Sequence, residues 1–134
     1  MINAKHLMIG NLFTDDQNEI LKIDLIDSVE ETVNANGMED ISTSDLIPIE
    51  LTEDILLKWG FGNKRNTNIN GCIEYTYLNS MNLSKSYDLI LTIHNGIYRL
   101  YYKLEIIGVR RLKYIHQFQN FFQIITEKEL TVQL

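Results

Sequence analysis

The dipeptide Asn95-Gly96 lies between two runs of alternating residues, 87–94 and 97–104. A type I′ turn needs positive φ at both central positions, which Asn and Gly adopt at low steric cost, so the pair predicts a two-residue β-hairpin. Such a loop fixes the register, placing His94 opposite Ile97, Ile93 opposite Tyr98, Leu91 opposite Leu100, Leu89 opposite Tyr102 and Tyr87 opposite Leu104. The last four pairs are apolar and share one face. Thr92 with Arg99, Ile90 with Tyr101 and Asp88 with Lys103 share the other, where opposite charges directly across a ladder contribute ~0.2–1 kcal/mol. Residues 72–78, with Ile73, Tyr75 and Tyr77 alternating against Glu74 and Thr76, read as the preceding strand of the same antiparallel sheet.

The remaining segments fit around that sheet. Gly108 is expected to interrupt it. From 114 to 126 the spacing predicts a helix whose Tyr114, Ile115, Phe118, Phe121, Phe122 and Ile125 share one arc and cover the sheet, and a short strand at 130–133 follows. Towards the N-terminus, residues 7–13 broken by Gly10-Asn11, a turn at 14–18, and Leu21, Ile23 and Leu25 alternating with Lys22 and Asp24 read as short strands with one buried face. Residues 28–35 fit either a helical turn or a continuing strand, and Asn36-Gly37 marks a second hairpin turn. Ile47-Pro48 is extended, because the residue before proline avoids the helical region. Thr52 is an N-cap, Glu53 and Asp54 suit the positive end of the helix dipole, and Gly60 terminates a short central helix over 53–59. The run Asn63 to Asn68 reads as a linker. The expected fold class is α+β: an antiparallel sheet with a C-terminal helix packed on it, a small barrel-like β-rich N-terminal portion, and a short central helix, all within a single domain 1–134.

At 134 residues the chain is long enough for a core that needs no staples. Its single cysteine excludes an intrachain disulfide framework and fits a reducing compartment, so the expected location is cytoplasmic. No signal-peptide pattern opens the chain, and no apolar run approaches the ~20 residues that span a bilayer. The net charge of −6 conceals a split. Residues 1–62 carry three basic and thirteen acidic side chains, net −10; residues 63–134 carry nine and five, net +4.

Motif-borne chemistry is absent from the sequence: there is no phosphate-binding glycine loop, nucleophile elbow or paired-cysteine motif. His6, Cys72, His94 and His116 fall on four different elements, without the local pairing of a structural zinc site. A Cys72/His94 nucleophilic pair lacks a third group to orient the base. The acidic pairs Asp15-Asp16, Glu30-Glu31, Glu39-Asp40 and Glu53-Asp54 fit turns and a helix start. The expectation is a non-enzymatic protein with no catalytic residue, metal or cofactor.

Two surfaces stand out as partner-binding candidates. His116, Gln119, Asn120 and Gln123 form a polar arc on a helix with no lysine, arginine or carboxylate, where a solvated face would carry them. That arc packs internally or against a partner. Arg99, Tyr101 and Lys103 lie among Ile90 and Ile97 on the outer sheet face, a composition common to protein interfaces and base-stacking platforms. Arg110, Arg111 and Lys113 are the candidate contacts for nucleic-acid phosphates in an alternative reading, an RNA- or single-stranded-DNA-binding accessory protein using the basic aromatic half.

The segment Tyr114-Ile115-His116-Gln117-Phe118-Gln119-Asn120-Phe121-Phe122, followed by Thr126-Glu127-Lys128-Glu129-Leu130, resembles the C-terminal signature of a family of small proteins from Bacteroidota genomes and their phages. Ile9-Gly10-Asn11-Leu12 resembles its N-terminal motif, and the stretch from Pro48 to Phe61 its central helix. Residues 63–85 lie outside the resemblance, and Glu127 stands where the family has glycine. The resemblance implies a phage or prophage origin, no catalytic residues, and action in the host cytoplasm by binding a host protein or ribonucleoprotein. Inhibition of a nucleic-acid-dependent defence complex, in the manner of anti-CRISPR proteins, is the corresponding expectation, with the acidic half occupying a groove built for phosphates.

Overall fold

A computed structural model describes residues 2–77 and 89–126. The protein is α+β; among the described residues there are two antiparallel five-stranded sheets, one short α-helix and one C-terminal helix. It divides into two compact units, residues 1–50 with 114–120, and residues 51–113 with 121–134.

In the first unit a 3₁₀ turn at Ala4–His6 precedes β1 (Leu12–Thr14), β2 (Ile20–Asp27), β3 (Thr32–Ala35), β4 (Met38–Ser42) and β5 (Ile47–Pro48), ordered β4-β3-β2-β1-β5. The barrel-like expectation is corrected: the sheet ends at β4 and β5, which do not pair with each other, and so stays open. The β1–β2 loop is set by one carboxylate. Asp15 Oδ1 accepts from the Gln17 and Glu19 N–H groups, each at 2.9 Å, while Asn18 takes the left-handed position at φ 62°. Asn36-Gly37 forms the expected turn with φ of 52° and 81°, joining Ala35 to Met38. Residues 28–31 form a turn and Thr32–Ala35 a strand.

Phe13, Leu21, Ile23, Val33, Ala35, Leu7 and Leu46 make the core of this unit. Leu25 was expected to join them by alternation and is 51% exposed instead. The β2–β3 register shifts between Ile23 and Leu25, and one extra residue inverts every side chain beyond it. Ile26 therefore packs against the core in its place.

The second unit opens with α1 (Glu53–Lys58), whose N-cap Thr52 accepts from the Ile55 N–H and whose exit passes through Gly60 at φ 96°. Strands β6 (Phe61–Asn66), β7 (Ile73–Tyr77), β8 (Leu89–His94), β9 (Ile97–Tyr102) and β10 (Glu105–Arg111) follow, ordered β10-β9-β8-β7-β6. The linker reading of 63–68 is corrected, since Asn63 to Asn66 belong to β6, with Arg65 and Asn66 paired to β7 and Asn63 and Lys64 in a register shift. The Asn95-Gly96 hairpin has the expected register from His94↔Ile97 to Leu89↔Tyr102. The pairs Tyr87–Leu104 and Asp88–Lys103, Leu78, and the strand at 130–133 lie outside the described residues.

Gly108 does not end the sheet. It sits within β10, just after a register shift from Ile106, and it lets α2 (Ile115–Thr126) approach. A Cβ there would overlap Ile125 Cδ1 and lie 2.9 Å from Phe121 Cε1. Phe122 meets Phe61 edge-on at 6.0 Å and Tyr77 at 5.4 Å, completing the aromatic cover over Leu91 and Leu100. One further hairpin had no sequence signal: Lys103 and Leu104 both take positive φ, 49° and 68°, to join Tyr102 to Glu105.

Two substitutions test these positions. Gly108→Ala should lower stability by about 1–3 kcal/mol through overpacking, read as a fall in Tm; an unchanged Tm would remove the close-approach argument. Leu104→Gly should raise stability by about 1 kcal/mol, because a left-handed backbone strains a branched L-residue, and a lower denaturant midpoint would contradict it.

Candidate interaction surfaces

The polar arc of α2 is engaged by the chain itself. Gln119 is buried; its Oε1 accepts from the Leu12 N–H at 3.0 Å and its Nε2 donates to Gly10 O at 3.1 Å. Asn120 Oδ1 accepts from Asn11 Nδ2 at 2.7 Å, and its Nδ2 donates to His6 O at 2.9 Å. Asn11 is itself buried, and its Oδ1 accepts from the Met8 N–H at 2.8 Å. The amides thus satisfy backbone groups at the entry to β1 that β2 does not reach, since Ile23 takes only the Gly10 N–H and the Asn11 carbonyl, and this explains why the helix face carries no charge. Gln123 is half-buried.

His116 is 7% exposed, with its ring 4.7 Å from Phe13 and stacked at 6.0 Å on Tyr114. Its Nδ1 has no hydrogen-bond partner. Burial, and secondarily the nearby His6, push its pKa down to about 4. The imidazole is neutral at pH 7 and part of the packing.

The outer face of the second sheet is half-buried, and exposed at Arg65, Ile106 and Val109. Side chains on it follow from the pairing: one row runs Gly62–Thr76–Ile90–Tyr101–Ile106 and the next Arg65–Glu74–Thr92–Arg99–Val109. None of these residues is buried, in contrast to Tyr75, Leu91 and Leu100 on the opposite face. Arg65 is engaged by Glu74 at 2.9 Å. Arg99 and Tyr101 lie side by side in neighbouring rows, whereas Lys103 lies in the hairpin turn with its ammonium 5.5 Å from the Tyr102 ring centre. Tyr75 and Tyr98 are buried on the other face and Tyr77 packs against Phe122, so they are not available to stack on bases. Arg110 and Arg111 are exposed on β10, donating to Val109 O and Asn95 O. Lys113 follows β10 and is exposed.

The carboxylates sort into two groups. In the first unit Asp15, Asp27 and Glu31 are half-buried and accept hydrogen bonds that hold turns, Glu31 Oε2 from the Ala4 N–H at 3.0 Å. Asp16, Glu19, Asp24, Glu30, Glu39, Asp40, Asp45 and Glu50 are exposed. Among the described residues no ion pair reaches any of these eight, and both ion pairs belong to the second unit. The unit boundary sharpens the charge split: the first unit holds two basic and eleven acidic side chains, net −9, and the second ten and seven, net +3.

Glu53 belongs to a different arrangement. It accepts from Lys64 at 2.8 Å and from the Tyr75 hydroxyl at 3.1 Å, tying α1 to the sheet. The Lys64 bond first, then the Tyr75 bond, hold its carboxyl below the usual range; burial, then Glu53, push Tyr75 up to about 12. Sequence spacing could not pair these residues, because β6 was read as a linker. Cys72 is buried as a free thiol, and among the described residues no hydrogen bond joins it to His94. Among the described residues no group of three or more His, Cys, Asp or Glu side chains could hold a metal ion, and no helix is long and apolar enough to cross a membrane.

Compared with known proteins, the chain matches no family model, no curated protein and no solved structure.

His116 generates a pH prediction. Its folded pKa lies below the unfolded value of ~6.5, so the unfolded chain takes up the proton first and stability falls with acidification. Between pH 7 and 5 the Tm should drop by about 5 °C, and His116→Phe, which keeps a ring beside Phe13, should flatten that slope. Equal slopes in both proteins would exclude the assignment.

Proposed function

We propose that this is a non-enzymatic binding protein of a phage or other mobile element, whose acidic N-terminal unit enters a basic, phosphate-binding groove of a host protein and blocks it. The observation that carries this reading is the set of eight exposed carboxylates, without ion pairs among the described residues, on a unit with two lysines. Asp15, Asp27 and Glu31 account for the acidic residues that the fold itself uses, and the other eight hold no turn. Like charges held close on a small unit repel, so their retention costs stability unless a cationic partner compensates. The inhibitor reading, directed at a nucleic-acid-dependent defence complex, follows from the family resemblance in the N-terminal, central and C-terminal segments together with this charge.

Electrostatic docking of this kind is fast and salt-sensitive. The tagged protein, passed over host lysate, should retain a basic partner that is released by raising the salt and by competing single-stranded nucleic acid. Replacing Asp24 and Asp40 by Asn and Glu39 by Gln should weaken retention by about tenfold or more while Tm holds or rises. Recovery of no partner above background, or retention indifferent to the triple substitution, would refute the proposal.

A further inference from the structure

The four sheet edges of the two units are not alike. Exposed edges invite an added strand, and proteins blunt them with short length, proline, charge or bulges. β5 is two residues long and ends in Pro48. β4 exposes Glu39 and Asp40, with Asp40 at φ 56° and a register shift opposite it. β6 exposes Lys64 and Arg65, with Asn63 at φ 51° and a register shift between Gly62 and Arg65. β10 carries a bulge and charge as well, in Arg110 and Arg111, but differs in its aliphatic content: seven residues long, it exposes Ile106, Ile107 and Val109 by 51%, 40% and 42%. Its own bulge falls at Ile106–Gly108, leaving 108–111 in regular register with β9.

We propose that β10 is the docking edge for an extended, alternately aliphatic and acidic segment of a partner protein, which adds to the second sheet as a sixth strand. The backbone is set for it. The Leu112 N–H donates to Gly96 O at 3.2 Å, and antiparallel alternation then turns the polar groups of Gly108 and Arg110 towards β9 and those of Val109 and Arg111 outward. Main-chain bonds to the outward groups supply affinity, and side chains supply selection. Ile106 and Val109 are exposed on the outer face beside the half-buried Tyr101 and Arg99, and offer an apolar surface to alternate residues of an incoming strand. The charge that selects the partner comes from Arg110 and Arg111. Both guanidinium groups bond only carbonyl oxygens of their own chain, and no carboxylate neutralises either among the described residues. A second copy pairing antiparallel about Arg110 would set arginine against arginine, which disfavours that register. This edge lies in the second unit and does not depend on the acidic surface of the first.

Fluorescence anisotropy with a labelled octapeptide of alternating valine and glutamate tests the inference, with a valine–lysine octapeptide as comparison. The acidic peptide should bind and the basic one should not. Val109→Pro removes an outward N–H without touching the β9 ladder and should abolish binding; Arg110→Glu with Arg111→Glu should weaken it by about tenfold or more. Val109→Lys serves if the proline variant loses its circular dichroism. Absent binding, or binding unchanged by these variants, overturns the proposal. So does binding that appears only after Leu130→Lys with Val132→Lys, which would make the chain's own end the occupant, or a dimer of the free protein that Val109→Pro dissociates.

Discussion

The Gln119 carboxamide, bonded at once to Gly10 O and the Leu12 N–H, is the contact on which the first unit depends. The backbone running into β1 bonds Ile23 of β2 through the Gly10 N–H and the Asn11 carbonyl, which leaves Gly10 O and the Leu12 N–H to be met by Gln119; buried peptide groups without partners cost more than most side-chain contacts return. Asn120 and Asn11 extend the same solution to His6 and Met8. A charged side chain in either place would need its own compensation in a dry site, and a shorter one would not reach. Residues more than a hundred positions apart are therefore matched donor for acceptor.

What could be read from the sequence was what depends on local geometry. Asn95-Gly96 and Asn36-Gly37 announce their turns because few other residues take positive φ twice in succession. Lys103-Leu104 adopts the same backbone without a compositional signal, because the flanking strands impose it. Bulges were illegible for a related reason. Leu25 has the right spacing for the core, and only the partner strand shows that a residue has been inserted before it. Asn63 to Asn66 look like a linker because an edge strand with one half-hydrated face needs neither alternation nor bulk. Gly108 drew the opposite misreading. Its missing side chain serves the approach of Phe121 and Ile125 and leaves the strand continuous.

Candidate sites followed the same division. The absence of charge on α2 correctly singled out His116, Gln119 and Asn120 as unusual, and composition left open whether their partners lay inside or outside the chain; His6, Gly10, Asn11, Leu12 and Phe13 are those partners. The charge split was visible as a sum, but the placement of its boundary at Glu50 needed contacts. The apolar edge of β10 was hidden because a strand's aliphatic residues read as buried until its neighbours are known.

The sorting of carboxylates in the first unit has an evolutionary consequence. Three of them are fixed by the turns they hold, and α2 admits few changes at Gln117, Gln119 and Asn120 because each answers a particular backbone group. Among the described residues the eight exposed carboxylates hold no turn and no ion pair, so each can be exchanged, moved or lost without disturbing the fold. Substitution could rewrite that surface one position at a time on an unaltered frame, and related sequences would drift apart fastest where the charge is densest.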